Sequence, residues 1–209
     1  MDPAETLAAN YATATRLIDE AHAQDPNTIP GDDGPVPYEL HYARKMTRWL
    51  ASRKPDASPA LQLACRAQHF RRWELPRSSY PMTRAGYLTW RAKQKAQAAE
   101  QVAQLLSSSP AIQPPLAQDE VDRVAALVRK EHLKADEETQ VLEDVACLVF
   151  LDDQFDDFER KSEMDEEKMI GILRKTWAKM SDEGRKLALG MQLSERATTL
   201  IQKALAGEN

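Results

Sequence analysis

Residues 137–155 read EETQVLEDVACLVFLDDQF, and whether this stretch is helix or strand decides the class of the whole chain. The tetrapeptide Leu148-Val149-Phe150-Leu151 has the branched and aromatic composition of a strand. However, Asp144, Leu148, Leu151 and Phe155 fall on one helical face, within a 3.6-residue pattern that outlasts any ordinary strand. The spacing therefore predicts a helix from Glu137 to Glu159. Its longest apolar run, Val145 to Leu151, is far short of the ~20 residues that cross a bilayer, so it reads as a buried element of a soluble protein, and two cysteines, too few for a disulfide framework, suit a cytoplasmic one.

The same period recurs outward from this segment. Helices are expected from Glu5 to His22, Pro37 to Ser52, Pro59 to about Trp73, Thr83 to Leu106, Gln118 to His132, Asp165 to Met180 and Ser181 to Leu205. Ser58 before Pro59 is a helix-start signature, as is Ser181 before two acids. The prolines, glycines and aspartates of residues 24–37 predict a loop. No hairpin signal of the Asn-Gly or Asp-Gly type separates β-rich runs. The expected class is all-α. A single helical domain is expected over residues 1–209, with an N-terminal helix (1–23), a loop (24–37) and a main bundle (38–206) of seven or eight helices. Cys65 and Cys147 lie in apolar helical contexts and read as reduced core residues.

Charge is distributed unevenly. From Tyr38 to Lys95 there are 13 Lys or Arg against 3 acidic residues, whereas the remaining 151 positions hold 15 basic and 30 acidic residues. The net charge of −5 hides this basic stretch, which reads as the anion-facing wall of a site. Guanidinium groups bind phosphate or carboxylate through paired hydrogen bonds, and Arg72, Arg77, Arg84 and Arg91, with Lys45, are the expected anion contacts. Tyr80, Tyr87 and Trp90 interleave with Arg77, Arg84 and Arg91 at steps suited to stacking on a base or sugar, and Tyr87 and Trp90 equally suit packing in the core.

Two histidines fall in the same stretch. Leu61, Cys65, His69 and Trp73 follow at four-residue steps, which places His69 on a core-type helical face. His41 shares a face with Lys45 and Arg48. Asp144 precedes seven apolar residues, where a carboxylate needs a cation, a metal or several donors. His41, His69 and Asp144, on three helices, suit either a metal or a proton-transfer site, and each also suits a hydrogen-bonded structural role. Phosphate loops, dinucleotide fingerprints, nucleophile elbows and zinc-protease motifs are absent. Lys179-Met180-Ser181 shares three letters with the nucleotide-clamping loop of class I aminoacyl-tRNA synthetases, but lacks its second lysine and reads as a helix cap.

The runs HYARKMTRWL, ACRAQHFRRWELPRSSYPMTRAGYLTWR and QVLEDVACLVFLDDQF resemble the fungal and bacterial family called domain of unknown function 4202. The order of elements resembles, more distantly, the HD superfamily of helical metal-dependent phosphohydrolases. That resemblance implies an HD-like bundle in which His41, His69 and Asp144 hold a divalent metal ion. Phe70 stands where the superfamily has an aspartate, which leaves a weaker mononuclear site, a ligand drawn from elsewhere such as Glu74 or Glu143, or no metal at all. The expected function is metal-assisted hydrolysis of a small anionic, phosphorylated or nucleotide-like substrate, with His41, His69, Asp144 and Glu143 as catalytic residues. The alternatives are a metal-free acid–base lyase or isomerase, and a non-catalytic RNA-binding or scaffold protein.

Overall fold

Helix starts in this chain are set by short polar side chains that accept otherwise unpaired backbone N–H groups. The computed structural model describes residues 3–31, 33–155 and 166–206. Its α-helices are α1 (Pro3–His22), α2 (Tyr38–Arg53), α3 (Pro59–Arg66), α4 (Arg84–Ser108), α5 (Gln118–Arg129), α6 (Glu137–Val149), α7 (Glu166–Trp177), α8 (Asp182–Leu189) and α9 (Glu195–Ala206). Ser58, Thr83, Asp136 and Ser181 cap α3, α4, α6 and α8 through their side chains. The fold is all-α. No described helix is long and apolar enough to cross a membrane.

Helix α6 is the axis of the core. Val141, Leu142, Val145 and Val149 join a cluster with Ile18 of α1, Met46 of α2, Leu61 of α3, Val102 of α4 and Val124 of α5. Cys147 and Leu148 belong to a second cluster with Leu173 of α7, Ala188 of α8 and Leu200 of α9. A helix packed on opposite sides must be apolar nearly all round, which is why Val145 to Leu151 looks strand-like in sequence. Each fully buried Leu or Val here contributes about 1.5–3 kcal/mol. Cys65 and Cys147 are buried free thiols, as their contexts imply.

Four expected boundaries are corrected. The loop over residues 24–37 holds a minimal antiparallel pair, β1 (Thr28–Ile29) and β2 (Val36–Pro37), with Thr28 opposite Pro37. The expected helix 137–159 passes at Val149 into a π-helical turn, Phe150–Gln154, and residues 156–159 lie outside the described residues, as does Asp165. The expected helix 181–205 is two helices. Gly190 caps α8, since glycine is a poor helix former, and Ser194 restarts the chain by accepting the Ala197 N–H.

The fourth correction shapes the site. Helix α3 stops at Arg66 rather than continuing to Trp73. Phe70 is buried against the edge of His22, with ring centroids 5.4 Å apart, and the Glu39 carboxylate accepts the Arg72 N–H at 2.5 Å. These tertiary contacts hold His69 and Arg71 at φ of 63° and 48°, a left-handed conformation that costs about 1–2 kcal/mol for residues other than glycine.

A candidate anion-binding site

A cavity of about 550 Å³ opens where the loop after α3 faces α4, the end of α5, α6 and α7. Arg71, Arg72 and Arg77 enter from the loop, Arg91 and Lys95 from α4, Lys130 from the end of α5 and Lys179 from beyond α7. Among the described residues, Glu143 of α6 is the single carboxylate in the lining. His69, Tyr42, Tyr87, Trp90 and Phe150 supply the aromatic surface. Among the described residues, three of the four left-handed ones other than glycine, His69, Arg71 and Lys130, line this one cavity. Such outliers concentrate at ligand-binding sites, where surrounding packing compensates the strain.

Neutralisation is incomplete. Glu143 binds Lys130 at 2.5 Å and lies 3.7 Å from Lys179, and Arg71 lies 3.9 Å from Glu74. Arg72, Arg77, Arg91 and Lys95 make no ion pair with a carboxylate among the described residues. Two of these are held by other means. Arg72 lies over Trp90 at 5.1 Å. Arg77 donates to the carbonyls of Tyr80 (2.9 Å) and Pro81 (2.8 Å) while facing Tyr87 and Trp90 at about 6 Å. Stacking on an aromatic face fixes the guanidinium plane.

The surplus charge sets the protonation of its neighbours. Burial, reinforced by Arg72, Arg91 and Lys130, pushes the His69 imidazole well below its ordinary range, so it is neutral near pH 7. The ring stacks on Tyr42 with centroids 4.1 Å apart, and its Nε2 lies 3.0 Å from Arg72 Nη1. A guanidinium has only hydrogens to offer, so Nε2 is the acceptor and Nδ1 carries the proton. Burial alone would raise the Glu143 carboxyl, but Lys130, with Lys179 and Lys95, holds it below the usual range. Burial and then Arg91 lower the Arg72 guanidinium.

Of the expected site residues, His69, Glu143, Arg72, Arg77, Tyr87 and Arg91 line this cavity, while His41, Lys45, Tyr80, Arg84 and Asp144 do not. His41 Nε2 is bonded to Asp153 at 2.6 Å. Lys45, Arg48 and the Trp49 indole all donate to Asp152, so the π-helical turn neutralises the basic face of α2. Tyr80 contributes only its carbonyl, to Arg77. Asp144 is fully buried and accepts from Arg53 Nε (2.9 Å), Gln140 Nε2 (3.0 Å), and the Ser181 N–H (2.8 Å) and hydroxyl (2.6 Å). It braces the capped start of α8, so Lys179-Met180-Ser181 ends in a helix cap. Phe70 is a core residue.

The three expected metal ligands thus hold three separate sets of partners, and the ring nitrogen of His69 nearest a partner faces a cation. That donor set does not fit a shared divalent ion. Among the described residues no group of three His, Cys, Asp or Glu is placed to hold one. Sequence reasoning missed Lys95, Lys130, Lys179, Tyr42 and Phe150. Lys95 was visible as the end of the basic stretch, four residues after Arg91, whereas Lys130 carries no local signal and Lys179 stood out only through its three-letter motif match.

The family described as Domain of unknown function (DUF4202) matches residues 12–201. No curated protein and no solved structure matches the chain.

Proposed function

We propose that this chain, which belongs to the DUF4202 family, binds a small phosphorylated anion in the cavity behind His69 and acts on it by metal-free acid–base chemistry. The observation that supports this is the set of cations that form no ion pair with a carboxylate among the described residues, Arg72, Arg77 and Arg91, gathered round one concave space. A cavity of about 550 Å³ is of the size that encloses a nucleotide-like molecule. A phosphate supplies the oxygens those guanidinium groups need, and the aromatic wall of Tyr87, Trp90 and Phe150 suits an apolar or planar remainder. The concavity favours a small ligand over an RNA strand, which needs an open track.

His69 and Glu143 are the groups able to move protons there. Phosphate binding at Arg72 competes with its bond to His69, frees the Nε2 lone pair and raises the basicity of the ring by neutralising nearby charge. His69 then serves as base or acid, and Glu143 holds Lys130 against the cavity.

Calorimetric titration with inorganic phosphate and with adenosine monophosphate tests the reading. Charge-assisted hydrogen bonds contribute ~1.5–3 kcal/mol each. Arg72→Met and Arg91→Met are therefore expected to weaken binding by about ten- to a hundredfold, while Lys93→Gln on the exposed face of α4 leaves it unchanged. Wild-type protein that binds neither probe, or variants that bind as well as wild type, would overturn the proposal. Tighter binding of single-stranded RNA than of either probe would replace it with the RNA-binding alternative.

A further inference from the structure

Lys95 projects from α4 into the cavity on the same side as Arg91, one turn earlier. Like charges at this spacing repel, and the described residues place no carboxylate in an ion pair with either side chain. Lys130 and Lys179 approach the same space, and the one acid available, Glu143, is bonded to Lys130 and close to Lys179. Among the described residues Lys130 and Lys179 therefore lie within ion-pair distance of an acid, whereas Lys95 feels Glu143 only at longer range. A lysine in this position has two outcomes. It stays charged and repels its neighbours, or it gives up its proton. Burial, then Lys130 and Arg91, holds its amine below the ordinary lysine range against the opposing pull of Glu143, and desolvation beside other cations is how nucleophilic lysines are activated.

We infer that Lys95 is a covalent catalytic residue that forms an imine with a phosphorylated aldehyde or ketone held by the cavity's arginines, an assignment that rests on the phosphate-binding reading above. The Nζ lone pair attacks the carbonyl carbon, forming the C–N bond while the C=O π pair moves to oxygen. One proton passes from the attacking nitrogen to that oxygen and a second comes from solvent, so the oxygen leaves as water, the nitrogen lone pair closes the C=N bond and a protonated imine remains. No oxidant, reductant or metal is required. The arginines bind the phosphate end, which brings the carbonyl end to the amine and turns a bimolecular encounter into a local one. The imine then draws electrons from the adjacent carbon, a position where the neutral His69 is able to take a proton.

Borohydride trapping tests the assignment on the full chain. The protein is incubated near neutral pH with glyceraldehyde 3-phosphate or with uncharged glyceraldehyde, reduced with sodium borohydride, and read by intact mass and peptide mapping. The expected result is one reduced adduct on Lys95, about tenfold more abundant with the phosphorylated aldehyde and suppressed by excess inorganic phosphate. Lys95→Arg, which keeps the charge, is expected to abolish it, and Lys93→Arg on the exposed face of the same helix to retain it. Label spread over the exposed lysines, or an unlabelled Lys95 in protein that binds phosphate by calorimetry, would overturn the imine while leaving the phosphate reading standing. Equal labelling of Lys95 by both aldehydes, without suppression by phosphate, would keep the reactive amine and overturn the phosphate reading.

Discussion

Replacing Asp144 separates a structural carboxylate from a metal ligand or catalytic acid. Its side chain is fully buried and takes four hydrogen bonds, two of them from Ser181 at the start of α8. A Cβ on Gly184 would lie 2.7 Å from the Asp144 Cγ, so the first turn of α8 rests directly on the carboxylate. Arg53, its cationic partner, is 12% exposed, and its other acid, Glu183, is 3.8 Å away on the surface. Removing one member of a buried pair costs ~3–5 kcal/mol because the other is stranded. For a chain of this length each kcal/mol lowers the Tm by about 2–4 °C, so Asp144→Ala is expected to lower it by roughly 6–20 °C. Asp144→Asn retains an acceptor for the Ser181 N–H and is expected to cost about 2 kcal/mol. The double replacement Arg53→Met with Asp144→Leu should recover most of the loss, since no charge remains buried alone. Urea denaturation measures these costs, and phosphate titration of the folded variants at lower temperature should give wild-type affinity. An Asp144→Asn protein as stable as wild type that has lost phosphate or divalent-metal binding would refute the argument and restore Asp144 to the site.

Two further perturbations probe the cavity. The His69 imidazole is held below the pKa of about 6.5 it has when unfolded, so the unfolded chain binds more protons and stability falls as pH drops below that value. Asn tolerates the left-handed backbone. His69→Asn is therefore expected to remove up to ~1.4 kcal/mol per pH unit of the decline below pH 6.5, read as paired urea curves at pH 7 and 5.5, and parallel declines in the two proteins would count against a neutral imidazole. Gly86 has no room for a side chain, because a Cβ would fall 2.2 Å from the Pro81 carbonyl oxygen, which accepts from Arg77. Gly86→Ala should thus cost about 1–3 kcal/mol and weaken phosphate binding; unchanged stability and affinity would show that the loop does not position Arg77.

The boundary between what was legible in the sequence and what was not follows the range of the interactions involved. Helical periodicity and capping act over three or four residues, so the all-α class, the starts at Ser58 and Ser181 and the burial of Val145 to Leu151 follow from local spacing alone. The basic excess between Tyr38 and Lys95 is likewise a property of composition, and it pointed to Arg72, Arg77 and Arg91. Which cation is neutralised depends instead on packing between residues far apart. Arg53 meets Asp144 across 91 positions and His41 meets Asp153 across 112, which removes both from the expected site. The early end of α3 was hidden for the same reason. Continuing that helix would satisfy its local pattern, but burial of Phe70 beside His22 and capture of the Arg72 N–H by Glu39 outweigh it. Sequence alone determined the helices and the excess of positive charge. Tertiary structure decided which charges stay without a partner and face one cavity, because desolvation and ion pairing act through space and not along the chain.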